Sequence, residues 1–550
     1  MPLHPAVADR LAALAQDQRA AATAPPGPVL CVAPAGSGKT TTLVARVAWR
    51  IARGADPATV CAVTFNRRAA EELAVRLDAA LVPLGLAPGA VRVRTFHALG
   101  REILADAGEA VEPLVDRRTL LGELFEGLSA AEERRLDDTL SRLKLELGVD
   151  TVRLRAEVAA ERAAGRPPSS LVEAFLAYEA ALAKRGELDF DDLVRRALRA
   201  LEADGALLDR WRARARILLM DEVQDVDRSQ LRLALLLAAP GNDVFLVGDD
   251  DQTIYAWRLA DVRRVLDLAS HLPGLRRVDL TANHRCPPAV TRRAARLVAH
   301  NRERFAKRIE PGPRTAGSLH LAPDPGDEPA RARRLFAAWR LAEGGETIAP
   351  GSFAVLARTN AELAPYAALA LDLGVPYAAA EDGLLLDAPA IDALLDAAVR
   401  IADARPGTGV LAALAEAREE ADEADDAVAG ALLAWAAGAP DLAALRAAID
   451  RARARRAALR REDAPLVLAT AHATKGLEFD HVACVGLDEG RFPSARSLAE
   501  AGDPARVLEE ERRLAYVAWT RARRSLALVY DPGAPSPFMQ EAFEPQELGC

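Results

Sequence analysis

The stretch Val29–Thr40 constrains the fold most, because it reads VLCVAPAGSGKT and continues into the helical pattern TTLVARVAWRI. An apolar strand, a loop of small residues, Lys-Thr and an amphipathic helix are typical of a phosphate-binding loop, where backbone N–H groups face phosphate oxygens. Lys39 would bring charge to the β- and γ-phosphates, and Thr40 a hydroxyl ligand to Mg²⁺. The predicted nucleotide-binding loop is Ala33, Pro34, Ala35, Gly36, Ser37, Gly38, Lys39 and Thr40, with Ala33 standing where the strict pattern has glycine.

Short apolar runs alternate with longer helical patterns along the rest of the chain. The runs are mostly continuous, as expected of parallel strands buried on both faces. The predicted strands are Val29–Ala33, Cys61–Phe65, Ile217–Met220, Val244–Val247, Phe353–Ala357, Val482–Gly486 and Leu526–Tyr530. Residues 101–185 and 380–463 read as helical throughout. At 550 residues the chain exceeds one compact domain. The pattern therefore predicts an α/β protein with two cores, each interrupted by a helical insertion.

Composition excludes several classes of protein. Apolar runs fall short of the ~18–20 residues of a membrane span, and the opening segment MPLHPAVADR lacks the regions of a secretory signal. Five scattered cysteines without a C-x-x-C pair argue against a zinc site and for a reducing, cytoplasmic setting. The net charge of −9 is no signature of a nucleic-acid binder, although a groove can be basic on an acidic protein.

Lysine is rare in this chain, which has 66 arginines but only five lysines. The lysines are Lys39, Lys144, Lys184, Lys307 and Lys475. Codon bias explains the bulk ratio. At Lys39 a compact ammonium fits a phosphate loop where a guanidinium fork does not, and Lys475 lies in the stretch TAHATKGLEF. Two of the five lysines therefore point independently to the nucleotide site, whereas Lys144 and Lys184 receive no role.

A carboxylate pair follows the predicted strand at 217–220, in the sequence ILLMDEVQD. Asp221 at the strand end suits a Mg²⁺ ligand, and Glu222 would polarise the attacking water as general base. Together with the phosphate loop, this pair predicts a nucleotide hydrolase.

Aromatic residues follow another buried strand, in VFLVGDDDQTIYAWRLA. Tyr255 and Trp257 would stack nucleic-acid bases, and Arg258 would meet a backbone phosphate. From the spacing alone, packing in a core explains each ring equally well.

At these residues the chain resembles the superfamily 1A DNA helicases of the UvrD/Rep/PcrA type, from about residue 11 to residue 540. The resemblance is carried by motifs in the family's order: LAQDQRAAA around Gln18, TFNRRAAEEL, RTFHALGREIL, LDFDDLV, DEVQD, GDDDQTIYAWR, LTANHRC, TAHATKGLEF and EEERRLAYVAWTRAR.

The resemblance implies further roles at the nucleotide. Gln18 would read adenine, Gln252 would sense the γ-phosphate, and Glu478 would meet the ribose or phosphates. Arg285 and Arg521 would act as arginine fingers supplied by the second core, so that ATP would lie between two RecA-like cores. The implied DNA-binding residues are Thr64, Phe65, His97, Tyr255, Trp257, Arg258 and His472. A purely structural role stays open for the two histidines.

The resemblance also implies an organisation and an activity. Residues 1–100 with 186–275 would form the first RecA-like core and 101–185 its helical insertion. Residues 276–379 with 464–550 would form the second core, and 380–463 a short second insertion. The implied function is that of an ATP- and Mg²⁺-dependent 3′–5′ DNA helicase or translocase in repair or replication. It would act on single strands and single-strand/duplex junctions, and a dimer or a partner protein is compatible with it.

Departures from the family pattern modify this expectation. His284 replaces the usual tyrosine of N-Y-R-S, Val223 replaces an aromatic residue, and Leu259 replaces a glycine. The second insertion is about half the usual size. We therefore expect translocation along a single strand, with duplex unwinding dependent on a dimer or a partner.

Three alternatives remain open. The chain could be the motor subunit of a nuclease or phage-defence complex, an NTP-gated binding or signalling subunit, or a 5′–3′ motor of superfamily 1B. The presence of Arg285, Arg521, Tyr255 and Trp257 argues against the second alternative, and TFHALG and DEVQD argue against the third.

Overall fold

The computed structural model describes residues 3–125, 127–128, 130–145, 151–256, 259–313, 316–341, 349–379, 389–419 and 426–548. It divides into two units, residues 1–281 with 303–307 and residues 282–302 with 308–550. None of the helices among the described residues combines the length and the hydropathy needed to span a bilayer.

The first unit is built on a six-stranded parallel sheet of order β3-β2-β4-β5-β1-β6. Its strands are β1 Val29–Val32, β2 Val60–Thr64, β3 Arg92–Thr95, β4 Ile217–Met220, β5 Val244–Gly248 and β6 Arg276–Asp279. Its helices are α1 Pro5–Ala12, α2 Gln16–Ala22, α3 Lys39–Ala52, α4 Arg67–Leu81, α5 Phe96–Asp106, α6 Arg117–Leu124, α7 Ala130–Leu145, α8 Thr151–Ala163, α9 Ser170–Arg185, α10 Asp192–Ala203, α11 Gly205–Arg214, α12 Arg228–Ala238, α13 Val262–Leu266 and α14 Leu268–His271.

Hydrophobic cores cover both faces of this sheet. Leu30 and Val32 of β1 pack into one core, whereas Val29 and Cys31 pack into the other. Successive residues of a strand point to opposite faces, so a strand buried on both sides must be apolar at every position. This explains the continuous apolar runs of the sequence. Helices α6, α7 and α9 pack around a separate small core that includes Phe175.

The second unit repeats this architecture with a six-stranded parallel sheet of order β11-β12-β10-β13-β14-β9. Its strands are β9 Ser318–Pro323, β10 Phe353–Ala357, β11 Tyr377–Ala379, β12 Leu466–Thr470, β13 Phe479–Cys484 and β14 Ala522–Tyr530, with β7 Ala282–Asn283 and β8 Glu310–Pro311 pairing separately. Its helices are α15 Pro288–Val298, α16 Glu328–Ala338, α17 Ala364–Leu373, α18 Pro389–Ala404, α19 Val410–Glu419, α20 Asp426–Ala436, α21 Leu442–Leu459, α22 Ala495–Ala499, α23 Pro504–Trp519, α24 Pro537–Ala542 and α25 Pro545–Leu548.

Helices α18 to α21 enclose a core of their own, which includes Ile391, Leu414 and Ile449. Between β11 and β12 the described residues are therefore a small helical subdomain. All seven strands predicted from apolar runs are present, with ends that differ by a few residues. The α/β prediction with two parallel-sheet cores is confirmed.

Candidate nucleotide and single-strand sites

The phosphate loop joins β1 to α3. Gly36 and Gly38 have φ angles of 70° and 83°, in the left-handed region that glycine enters without strain, and α3 begins at Lys39. The hydroxyl of Ser37 is buried and has no hydrogen-bond partner among the described residues. A helix N-terminus beside a buried, unsatisfied hydroxyl fits a bound nucleotide phosphate.

Gln18 is attached to this loop. Its Nε2 donates to the Ser37 carbonyl at 2.8 Å, and its Oε1 accepts from the backbone N–H of Ala15 at 3.0 Å. A side chain on Gly38 would collide with the Gln18 amide. Gln18, which is predicted to read adenine, therefore contacts the backbone that would hold the phosphates. Binding of adenine would thus be coupled directly to the phosphate loop.

Asp221 and Glu222 follow β4, as predicted. Glu222 has a positive φ of 52°, and both of its carboxylate oxygens lie 3.1 Å from Lys39 Nζ. Burial, together with the neighbouring charge of Glu222, raises the pKa of Asp221 to about 7. A cation bound beside Asp221 would favour its charged form.

A chain of hydrogen bonds connects Glu222 to Gln252. Gln224 Nε2 donates to Glu222 Oε2 at 2.5 Å, and Gln224 Oε1 accepts from the backbone N–H of Asp249 at 3.1 Å. Gln252 Nε2 then donates to Asp249 Oδ2 at 2.7 Å. Gly248 permits this arrangement, because a Cβ there would collide with the Gln224 side chain. With Lys39, which follows β1 and pairs with Glu222, the linked residues come from three strand ends, after β1, β4 and β5, which the parallel sheet brings to one edge.

Three predicted nucleotide-site residues meet in the second unit. Arg285 Nε donates to Glu478 Oε2 at 2.8 Å, and Arg521 Nη1 donates to the carbonyl of Leu477 at 3.1 Å. Burial alone would raise the pKa of Glu478, but Arg285 and Arg523 outweigh it and hold this pKa below its usual value. The two arginines thus contact consecutive residues, Leu477 and Glu478.

Two predicted site histidines of the second unit, His284 and His472, lie in different settings. A Cβ placed on Gly312 would be 3.2 Å from His284 Nδ1, so the ring lies along the backbone of that glycine. Burial, with Arg358 nearby, lowers the pKa of His472 to about 4. His472 is consequently neutral at physiological pH.

Two aromatic stacks lie in the first unit among the residues predicted to bind DNA. Phe65 and Tyr255 stack with ring centroids 5.5 Å apart and an interplanar angle of 10°. Thr64 is buried and its hydroxyl donates to the Asn66 carbonyl, so this side chain does not lie at the surface. Trp257 and Arg258 fall outside the described residues.

His97 forms the second stack, with Phe190, at a centroid distance of 3.9 Å and an angle of 19°. Phe190 is 55% exposed, which is unusual for a large apolar ring and is typical of a binding surface. Sequence reasoning gave Phe190 no role. The signal was present, because this aromatic residue stands among the acidic residues of LDFDDLV.

Sequence reasoning also gave no role to Gln224 and Asp249, which link the general-base position to Gln252. Their type and spacing carry no individual signal. Only the fold shows that the two strand ends after β4 and β5 are adjacent.

The fold and the site define a P-loop nucleotide hydrolase with two RecA-like cores. Residues 14–273 match the family model of the UvrD/REP helicase N-terminal domain, and residues 443–532 match that of the UvrD-like helicase C-terminal domain.

Three relatives illustrate the match. ATP-dependent DNA helicase UvrD2 of Mycobacterium tuberculosis is 34% identical over 561 residues, spanning 94% of this chain and 78% of the relative. DNA helicase II of Escherichia coli is 27% identical, spanning 94% of this chain and 84% of the relative. ATP-dependent DNA helicase Rep of Escherichia coli is 32% identical, spanning 52% of this chain and 43% of the relative. The chain belongs to the UvrD/Rep helicase family.

Proposed function

We propose that this chain is an ATP-driven motor that moves 3′ to 5′ along single-stranded DNA and opens duplexes ahead of it. One observation carries the proposal. Gln252, at the end of the hydrogen-bond chain from Lys39, is three residues from Tyr255, which stacks on Phe65. The residue that would respond to the nucleotide is thus only three positions along the backbone from a ring that can stack on a base. Two of the relatives are named ATP-dependent DNA helicases and the third is named a DNA helicase, which supports this assignment.

In the proposed ATP site the backbone of the phosphate loop binds the phosphates. Lys39 gives up its ion pair with Glu222 and binds the phosphates instead. Thr40 and Asp221 would hold Mg²⁺, which would neutralise charge on the phosphates. No cluster of three His, Cys, Asp or Glu side chains among the described residues could hold a metal alone. Mg²⁺ commonly takes one or two protein ligands and completes its shell with phosphates and water, so this donor set fits.

Glu222 would orient the attacking water and take its proton, while Gln252 responds to the γ-phosphate. Arg285 and Arg521 would stabilise negative charge on the transferring phosphoryl group, an effect worth about 10³–10⁵ in rate in comparable enzymes. Their proximity to Glu478 supports a shared role, because Glu478 can hold Arg285 in a defined position before nucleotide arrives.

For the single strand we propose two platforms in the first unit, Phe65 with Tyr255 and His97 with Phe190. Base stacking on an aromatic ring contributes about 1–3 kcal/mol per base and hardly depends on sequence, as a motor requires. We assign Trp257, Arg258 and His472 to the same path, with Thr64 supporting it from beneath.

The second insertion supports a division between translocation and unwinding. The alignment with DNA helicase II runs over 633 positions although it takes in only 94% of the 550 residues of this chain, so the relative carries residues that this chain lacks. Four described helices make up the subdomain between β11 and β12. We propose that the monomer translocates and that unwinding requires a second copy or a partner protein, in DNA repair or replication in the cytoplasm.

Strand displacement on 3′-tailed and 5′-tailed duplexes tests polarity and activity together, beside stopped-flow translocation on a fluorescent single strand. We expect ATP-dependent translocation toward the 5′ end by the monomer, and displacement of the 3′-tailed duplex alone once a second copy can bind at higher protein concentration, with Lys39→Ala inactive in both assays. Displacement only from a 5′ tail would reverse the polarity. Efficient single-turnover unwinding by the monomer would contradict the role given to the short insertion.

A further inference from the structure

The chain returns to the first unit for five residues after it has entered the second. Residues 282–302 belong to the second unit, Glu303–Lys307 to the first, and residues 308–550 to the second again. We name Glu303–Lys307 the return segment.

The anchor is the acidic triplet Asp249, Asp250 and Asp251, which follows β5. Lys307 Nζ lies 2.7 Å from Asp249 Oδ1 and 2.9 Å from Asp251 Oδ2, and it also pairs with Asp250. Arg304 donates twice to Asp251, at 2.9 and 2.7 Å.

Two further contacts hold the backbone of the return segment. The N–H of Phe305 donates to Asp250 Oδ2 at 2.8 Å. Arg277 donates to the carbonyl of Ala306 at 2.8 Å, and its guanidinium lies over the Phe305 ring, 4.5 Å from the centroid. The segment is therefore fixed at several successive residues.

The charges in this cluster are fully desolvated. The side chains of Lys307 and the three aspartates have no exposed surface. Burial alone would lower the pKa of Lys307, but the three carboxylates outweigh it and raise this pKa above its usual value. A buried charge that loses its partner is strongly destabilising, so the triplet and Lys307 depend on each other. The ammonium of Lys307 directs all its donors from one nitrogen, whereas a guanidinium spreads its donors over a planar fork, so arginine would meet these carboxylates in a different geometry.

Asp249 connects this cluster to the ATP site. One of its carboxylate oxygens accepts from Lys307, and the other accepts from the side-chain amide of Gln252. Its backbone N–H donates to Gln224, which in turn donates to Glu222. Since both oxygens of Asp249 are used, the position of Lys307 determines how Asp249 presents its second oxygen to Gln252.

We propose that Lys307 is a positioning residue for ATP hydrolysis, which orients the Gln252 amide through Asp249 and ties that orientation to the return segment. The inference rests on the proposed function, because it assumes that Gln252 serves ATP turnover. Lys307 touches no nucleotide in this scheme. Its effect is on turnover, while nucleotide affinity is left to the phosphate loop.

Lys144 provides the matched control. It is the other fully buried lysine among the described residues and also meets three carboxylates, Glu179 at 3.0 Å, Asp189 at 2.8 Å and Asp192 at 2.9 Å. This second cluster joins α7 and α9 to α10, and none of its contacts leads to Gln252. Replacing Lys144 should therefore show how the loss of a buried ion pair affects stability when Gln252 is not involved.

The test compares charge-balanced variants of the full chain. Lys307→Met with Asp250→Asn, and Lys144→Met with Asp192→Asn, each remove one buried charge of either sign. We expect the first pair to lower kcat of DNA-independent ATP hydrolysis about tenfold or more, with Kd for a fluorescent ATP analogue within about threefold of wild type. Adding Gln252→Ala to it should lower kcat no further, because both changes remove the same interaction. The Lys144 pair should shift Tm but keep kcat.

Wild-type kcat in the Lys307 pair would overturn the proposal, and so would a further, multiplicative loss on adding Gln252→Ala. An equal loss of kcat in the Lys144 pair would also overturn it. If the Lys307 pair does not fold, Lys307→Arg keeps the charge without the geometry, and the same loss of kcat is expected there; unchanged kcat would again reject the idea. Absence of ATP turnover in the wild type would instead contradict the proposed function itself.

Discussion

Lys39 Nζ lies 3.1 Å from each carboxylate oxygen of Glu222, so the cation of the phosphate loop and the proposed general base neutralise each other. Nucleotide phosphates would compete with Glu222 for Lys39, and binding would release the base for its work on water. This pairing explains why two groups with opposite tasks can stay charged in a partly buried site before ATP arrives.

Glu222→Gln should abolish ATP turnover and preserve nucleotide binding. The amide cannot take a proton from water, and Lys39 loses a competing anion, so affinity for a fluorescent ATP analogue should equal or exceed that of wild type. ATPase assays and fluorescence titration measure the two effects. The exposed carboxylate of Glu72 on α4 supplies the control variant Glu72→Gln, and weakened nucleotide binding in Glu222→Gln would contradict the assignment.

Gly248→Ala should reduce ATP turnover with a moderate loss of stability. The new methyl group would collide with Gln224 and Val223, which displaces the link between Glu222 and Asp249. Overpacking of this kind typically costs about 1–3 kcal/mol. At Gly205 an added Cβ meets nothing, so Gly205→Ala is the control in both the ATPase assay and thermal unfolding. Normal turnover in Gly248→Ala would show that the Gln224 link is dispensable.

Phe190→Ala should weaken single-strand binding without lowering basal ATP turnover. Loss of one stacking platform corresponds to about 1–3 kcal/mol, or roughly 5- to 150-fold in Kd for an oligonucleotide measured by fluorescence anisotropy. Stability should hardly change, because the ring is half exposed. Leu171→Ala, at another exposed apolar residue of the first unit, is the control. Unchanged oligonucleotide affinity would remove Phe190 and His97 from the DNA path.

His472 should remain neutral down to about pH 4, the value to which burial and Arg358 lower its pKa. An unfolded chain takes up this proton near pH 6.5, so the contribution of neutral His472 to stability is complete above that pH and is lost as pH falls toward 4. An NMR titration, with the signal assigned by its loss in His472→Gln, measures the midpoint. If DNA phosphates lie beside the ring, a bound oligonucleotide should raise this pKa; no shift would argue for a structural role.

Asp227→Asn should stabilise the protein at neutral pH. Asp227 caps α12 by accepting from the N–H of Gln230 at 2.9 Å, and burial, with Asp191 nearby, raises its pKa to about 6. The native carboxylate is therefore destabilising above pH 6 and neutral in effect below about pH 4. The amide keeps the cap, so the gain in the free energy of unfolding should reach about 2–3 kcal/mol above pH 6 and vanish in acid. Asp204→Asn, at the exposed cap of α11, is the control in chemical denaturation at both pH values.

The interior of each sheet could be predicted from the sequence, and the edges could not. Continuous apolar runs predicted β1, β2, β4 and β5, which are buried on both faces. Edge strands have a half-exposed pattern, as in β6 with its RRVD sequence, and carry no such run. Strand β12, LVLAT, is interior and apolar. Its apolar run could have been recognised as a strand, but it was not among the predicted strands.

The role of a site residue could be predicted where its local sequence motif specifies that role, as for Lys39 at the end of a glycine-containing phosphate loop. The connections between such residues could not. Lys307 meets Asp249 across 58 positions of sequence, and no periodicity identifies which carboxylate a distant lysine will find. Hydrogen-bond relays such as that of Gln224 depend on which strand ends are neighbours, which is a property of sheet order.

The burial of lysines and cysteines makes this protein unusually selective toward chemical labels. Lys144 and Lys307 are enclosed by carboxylates, and the four cysteines within the described residues are all buried. Amine-reactive dyes should therefore spare Lys144 and Lys307 in the folded protein and modify the exposed Lys184, at the end of α9.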